Sequence, residues 1–254
     1  MTDECIQLRR MIDNAKRVVF FGGAGVSTES GIPDFRGAHG LYAAANGQSY
    51  EDMLSSRFFE TRPDEFWAFY KSVMLYPNAR PNPAHYALAR LEARGVLSAV
   101  ITQNIDGLHQ LAGSQNVLEL HGSVLGNTCT RCSRRYTLDF ALKCRGTPRC
   151  SCTAHGVLHP DIVLYGEPLD PDVLTQAIEA VERCDLLIVG GTSLVVHPAA
   201  GLVTRRRPGV PLALINRDPT PYDGRAQLIL RENIATVLAQ AIPADEGDEA
   251  PCIT

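Results

Sequence analysis

Nowhere in this 254-residue chain is there an uninterrupted apolar run of about eighteen residues, the length a membrane-spanning helix requires. The start, Met1-Thr2-Asp3-Glu4, is acidic and lacks the basic residues and apolar centre of a signal peptide, so a cytoplasmic protein is expected. A surplus of positive charge is missing too. With 24 Lys and Arg against 28 Asp and Glu, the net charge of −4 supplies no general field for nucleic acid. Local clusters at Arg131 to Arg135 and at Arg205-Arg206-Arg207 read as solvated surface. The eight cysteines lack the even scatter of a disulfide framework: Cys129, Cys132, Cys144, Cys150 and Cys152 crowd together, leaving Cys5, Cys184 and Cys252 apart.

What the chain does contain is 45% apolar residues, enough for one large core or for a domain carrying a smaller insert. Apolar runs bounded by turns predict buried strands at 18–21, 97–102, 117–120, 162–165, 186–189, 212–215 and 228–230. Helical patterns fall at 4–15, at 83–94 with Asn82 as N-cap and Gly95 as stop, at 171–183 and at 234–241. Alternating strands and helices imply an α/β fold, a doubly wound parallel Rossmann-like sheet covered on both faces. Two stretches break the rhythm, one with a helical centre at 65–70 and one holding the cysteines. The division expected is a large nucleotide-binding domain from 1–38, 82–126 and 157–244. The smaller domain would comprise a helical insert at 39–81 and a metal-binding insert at 127–156, and residues 245–254 would be a poorly ordered tail.

The first strand runs directly into Gly22-Gly23-Ala24-Gly25, the strand-to-turn context of a phosphate-cradling loop, where glycine would provide positive φ and close approach. The regular dinucleotide fingerprint is incomplete, because Thr28 stands where its third glycine would be and Pro33 prevents a long helix. That departure counts against a hydride-transferring dehydrogenase. At later strand ends, where ligands of such folds bind, come Gln103-Asn104-Ile105-Asp106, His121-Gly122, Gly190-Gly191-Thr192-Ser193 and Asn216. A histidine there suits general-base work, its ordinary pKa being about 6.5. His109 reads as a helix-surface or packing residue, with Ile105, Leu108 and Leu111 on the face of the helical turn around it.

Cys129-Thr-Arg-Cys132 and the tighter Cys150-Ser-Cys152 suit a tetrahedral four-thiolate zinc site, with Cys144 as an alternative to Cys150. Four thiolates close the coordination sphere, so the metal would staple the fold and leave no position for an activated water. This weighs against a metal-dependent amidohydrolase, and the acidic net charge weighs against a zinc-ribbon nucleic-acid binder.

Taken together, Gly23-Ala24-Gly25-Val26-Ser27, Gly31-Ile32-Pro33-Asp34-Phe35-Arg36, Gln103-Asn104-Ile105-Asp106, His121-Gly122, the cysteine pairs, Val163-Leu164-Tyr165-Gly166-Glu167 and Gly191-Thr192-Ser193 resemble the sirtuins. These are NAD-dependent protein deacylases. The resemblance implies that NAD is consumed, releasing nicotinamide, free lysine and O-acetyl-ADP-ribose. By matching position it implies His121 as catalytic base, with Asn104 and Asp106 positioning nicotinamide and its ribose. Gly23, Ala24, Gly25, Thr28, Phe35, Arg36 and Gln103 would lie along the cofactor, and Gly191, Thr192, Ser193, Asn216 and Ala235 on its adenosine side. Val163, Tyr165, Gly166 and Glu167 would pair with a substrate peptide as an added strand. Members that remove acidic acyl groups carry a tyrosine followed three residues later by arginine; here Tyr70 is followed by Val73, which cannot pair with a carboxylate. Acetyl or another neutral acyl group is therefore expected, with Lys71 the one cation close enough in sequence to substitute. Acetylated proteins are the implied partners, with a monomer favoured and neither membrane nor nucleic acid expected. Protein ADP-ribosylation in the same cleft is the alternative reading.

Overall fold

The computed structural model describes residues 2–34 and 49–244. Its strands are β1 (Val18–Gly22), β2 (Leu97–Thr102), β3 (Val117–Glu119), β4 (Gly122–Cys129), β5 (Arg135–Thr137), β6 (Leu158–Ile162), β7 (Leu186–Gly190), β8 (Leu212–Ile215) and β9 (Leu228–Leu230). The helices are α1 (Asp3–Asn14), α2 (Tyr50–Met53), α3 (Ser56–Thr61), α4 (Pro63–Phe69), α5 (Pro83–Ala93), α6 (Leu108–Leu111), α7 (Leu138–Lys143), α8 (Pro171–Arg183) and α9 (Ile234–Ala241). Residues Phe35 and Arg36 and the tail from Asp245 lie outside the described residues.

Six strands pair in the order β3-β2-β1-β7-β8-β9, every pair parallel. Continuous apolar runs suit this, since a parallel sheet is buried on both faces. Alternate residues of β1 divide between two cores. Val18 and Phe20 pack with α1, α5 and α9, whereas Val19 and Phe21 pack with α8 and the 3-10 helix Ala199–Arg205. The α/β class and doubly wound parallel sheet expected from the alternating pattern are what the chain forms. Connections leave β1 and β7, the two central strands, toward opposite edges, so a crevice opens beyond their carboxyl ends.

The strand expected at 162–165 is displaced. The actual strand, β6, reads Leu-His-Pro-Asp-Ile and buries only alternate residues, as a strand with one solvent-facing side should. His159 and Asp161 interrupt its apolar pattern and hide it from a search for apolar runs. After Ile162 the run leaves the sheet: Val163 N–H donates to the His121 carbonyl, and Tyr165 pairs with Ser55 as an isolated bridge. β6 joins β4 and β5 in an antiparallel three-stranded sheet, order β5-β4-β6. A third core of Phe59, Phe66, Trp67, Phe69, Tyr70, Val124, Leu158 and Ile162 fastens this sheet to α3 and α4. Trp67 Nε1 donates to the Leu158 carbonyl at 3.0 Å, tying the helical segment to β6. A π-helical turn, Tyr70–Met74, continues α4.

Candidate active site

β1 ends in two short 3-10 turns, Ala24–Val26 and Thr28–Ser30, closed by Gly31 at φ 81°. Of the two reasons expected for glycine here, close approach holds and positive φ does not, and the approach seen is to another loop of the chain. Gly23 is extended, at φ −135°, so positive φ is not its reason. A Cβ on Gly25 would stand 2.7 Å from Gly191 Cα, and one on Gly23 would stand 2.7 Å from Thr192 Cβ. The loops after β1 and β7 therefore touch backbone to backbone, joined by Gly25 N–H donating to the Gly191 carbonyl at 2.8 Å. Glycine permits that contact between loops; Gly191, at φ 61°, is the position that also needs left-handed backbone.

A network behind this loop joins the predicted positioning residues. Ser27 Oγ donates to Asp106 Oδ2 at 2.7 Å and accepts from Asn104 Nδ2 at 3.0 Å. Asp106 Oδ1 accepts from Leu108 N–H at 2.9 Å, and Asn104 N–H donates to Thr102 Oγ1 at 3.0 Å. Gln103 Nε2 donates to Thr192 Oγ1 at 2.9 Å, bridging the ends of β2 and β7. Sequence reasoning assigned no role to Ser27, and to Asn82 only the helix cap. Asn82 caps α5 and donates to the Val26 carbonyl at 2.8 Å and to Ser30 Oγ at 3.0 Å, thereby holding the loop from behind. Asn before Pro is a capping signal, but the target of the second amide bond lies far away in sequence.

His121 sits between the two sheets. Its Nδ1 is 3.0 Å from the Gln103 carbonyl, which can only accept, so Nδ1 carries the proton and Nε2 keeps its lone pair. Burial lowers the pKa from the ordinary 6.5, partly opposed by that same carbonyl bond. The imidazole is thus neutral near pH 7. Gly122 follows at φ 73°, and a Cβ there would lie 2.2 Å from the Asp161 carbonyl. Only glycine lets β4 cross β6 so closely, and that crossing fixes where His121 projects.

One cavity of about 720 Å³ gathers these groups. Gly23 to Gly25, Thr28, Gln103, Asn104, Asp106, His121, Gly191 to Ser193 and Asn216 all line it, as do Val163, Tyr165, Gly166 and Glu167. The volume is within the range of ligand pockets. Ala235 is buried in the first turn of α9, where Glu232, Asn233 and Ile234 form the cavity wall. Glu167 is engaged internally, accepting from Leu164 N–H at 2.8 Å and lying 3.0 Å from His159 Nε2. Val196 and His197, which carried no sequence signal, line the wall beyond Ser193. Val73 and Met74 face the cavity, whereas Lys71 turns away, its Nζ donating to the carbonyls of Cys144 and Gly146 at 2.7 and 2.9 Å.

The Sγ atoms of Cys129, Cys132, Cys150 and Cys152 all lie within 4.8 Å of one another. Cys129 and Cys152 are separated by 3.9 Å and Cys132 and Cys150 by 3.5 Å. A zinc tetrahedron with bonds near 2.3 Å has sulfur edges of about 3.8 Å, which these two distances bracket, so the four thiols fit zinc. Cys144 is outside the cluster. Tyr136 O–H donates to Cys150 Sγ at 3.0 Å and pulls that thiol down to about 6.

A model for the Sir2 family matches residues 23–198. The chain is 51% identical over 244 residues to a protein of Clostridium perfringens named NAD-dependent protein deacetylase, a match covering 95% of this chain and all of that one. Among solved structures it is similar to a Sir2 enzyme with TM-score 0.86 and 39% identity, covering 95% of this chain and 97% of the other. A Sir2 variant with a deacetylated p53 peptide and 3'-O-acetyl-ADP-ribose gives TM-score 0.86 at 38% identity, with 92% and 96% covered.

Proposed function

Because the chain belongs to the Sir2 family, we propose the following assignment of roles to its residues in NAD-dependent deacetylation of protein lysine. The chain is an enzyme of that activity, using NAD and forming O-acetyl-ADP-ribose. The observation that carries the catalytic assignment is His121 Nδ1 bound to the Gln103 carbonyl, with the ring lining the cavity.

NAD supplies an electrophilic ribose carbon once nicotinamide is poised to leave. The residues fit that group: the β1 loop and the β7 loop make a polar floor of backbone and hydroxyls, and the Asn104–Ser27–Asp106 network aims an amide and a carboxylate at one end. Asp106 is held from two sides, so its carboxylate needs no reorganisation when positive charge develops nearby. His121 accepts a proton at Nε2, while Gln103 keeps the ring oriented and stabilises the imidazolium through its carbonyl. The peptide lies along Val163 to Gly166. Glu167 acts there by pinning the turn through Leu164 N–H, with no free oxygen required for substrate.

The wall from Val73 and Met74 is apolar, and Lys71 is committed to two carbonyls, so neither the position three residues after Tyr70 nor Lys71 offers a cation to an acidic acyl group. This favours acetyl and other neutral acyl chains. The same reading takes 39–81 and 127–156 as inserts forming a small domain across the cleft, stapled by zinc. Among the described residues no helix is long and apolar enough to cross a membrane, which is compatible with a cytoplasmic site of action.

Mass spectrometry of an acetyl-lysine peptide incubated with and without NAD tests the assignment. Loss of acetyl only with NAD, in step with O-acetyl-ADP-ribose and abolished by His121→Ala, is expected. A His121→Ala enzyme that retains turnover would remove His121 from the catalytic role. An unchanged peptide with NAD still consumed would point to ADP-ribosyl transfer.

A further inference from the structure

We propose that Tyr136 is a positioning residue of the metal centre, its phenol O–H holding Cys150 as a zinc thiolate. The inference rests on the four-thiolate zinc reading and concerns a side chain outside the coordination sphere. β5 places Tyr136 opposite Asn127 of β4, so it is presented by the same hairpin that carries Cys129 and Cys132. From there its oxygen comes within 3.0 Å of Cys150 Sγ, on the other half of the site.

The direction of that bond follows from the neighbours. Ser151 N–H points at the same oxygen, at 3.4 Å, and an amide can only donate; the phenol accepts it and keeps its own hydrogen for sulfur. Cys150 Sγ also accepts from Cys152 N–H at 3.3 Å. Cys150 is 1% exposed, and a thiolate so far from water needs such donors. Cys129, by comparison, accepts from Arg131 N–H at 3.4 Å. The Tyr136 ring is fixed from outside by Phe140 of α7, with centroids 4.5 Å apart. Outer partners of this kind orient ligands and raise metal affinity. The tight Cys-x-Cys spacing gives the phenol its purpose: with one residue between the two ligands, the backbone has less freedom to aim Cys150, and a side chain from β5 supplies the second constraint.

Tyr136→Phe keeps the ring and removes only the donor. In the zinc-loaded full chain, zinc transfer to a chromophoric chelator should become roughly 10- to 100-fold faster. In the cobalt-substituted chain, the sulfur-to-cobalt charge-transfer band should move to lower energy, because a thiolate relieved of a hydrogen bond donates charge more readily. Phe140→Leu, which loosens the ring but keeps the hydroxyl, should leave the band in place. Wild-type transfer rates in Tyr136→Phe would overturn the proposal, as would faster transfer with an unmoved band, which would reduce Tyr136 to packing. Zinc content of the wild-type chain checks the parent reading separately; a chain without zinc would overturn both.

Discussion

His121 Nε2 works as a base only while its lone pair is free, and burial moves the loss of that lone pair to lower pH than for a histidine in water. The acid limb of kcat/KM for the peptide should consequently have its midpoint below pH 6.5. A midpoint at or above that value would mean that another group controls the limb. Replacing the ring by glutamine should cost roughly 100- to 10,000-fold in kcat without unfolding, the usual worth of a positioned base. At Gly25 the structure changes what a substitution means. Alanine there would press its Cβ into the Gly191 backbone, so Gly25→Ala should lower stability by about 1–3 kcal/mol, read as a fall in Tm even without NAD. A glycine serving only to admit a phosphate would leave the empty protein as stable as before.

Among the elements, α5 bears on the site through its N-terminal end. Its cap, Asn82, satisfies Ala84 N–H at 2.9 Å and at once holds the β1 loop. Asn82→Ala should cost about 1–2 kcal/mol in denaturant unfolding and raise the KM for NAD, with the KM for peptide little changed. One turn along α5, His85 meets His109 of α6, ring centroids 4.7 Å apart, and His109 also approaches Phe20 at 6.3 Å. Burial pushes both pKa values well below 6.5, with Asp106 opposing the shift at His85 and His85 adding to it at His109. Folded pKa values below the unfolded value mean that the neutral pair is fully compatible with folding above pH 6.5, and that stability falls as pH drops below it. Urea midpoints should therefore decline between pH 7 and pH 5, and His109→Leu should flatten the decline. Of the two roles expected for His109, helix surface or packing, it has the second, buried against Phe20 and His85. Its partner ring, 24 positions earlier in sequence, carried no such signal.

Across the whole molecule, the four-cysteine cluster lies beside the three-stranded sheet and the candidate nucleotide loops at the six-stranded one. A structural zinc predicts that a chelator removes activity only as fast as zinc leaves, together with loss of near-ultraviolet signal from Trp67 and its neighbours, while NAD still raises Tm. Instant loss with an unchanged spectrum would indicate a catalytic metal. Much of this arrangement is readable from residues alone. Apolar runs specify the parallel sheet, because burial on both faces leaves no room for polar residues. Paired cysteines specify a thiolate site, because few other groups satisfy a tetrahedral metal at that spacing. Strand β6 was hidden because a half-exposed strand alternates, and the reason for the glycines was hidden because the loops that meet at Gly25 and Gly191 are 166 positions apart. Which oxygen orients His121, which carbonyls occupy Lys71 and which hydroxyl reaches Cys150 are likewise decided only when distant segments pack together. Sequence determined which chemical groups the chain would have at its strand ends, since local pattern sets the strands; the fold alone decided which way each group faces, since direction depends on partners that local pattern does not encode.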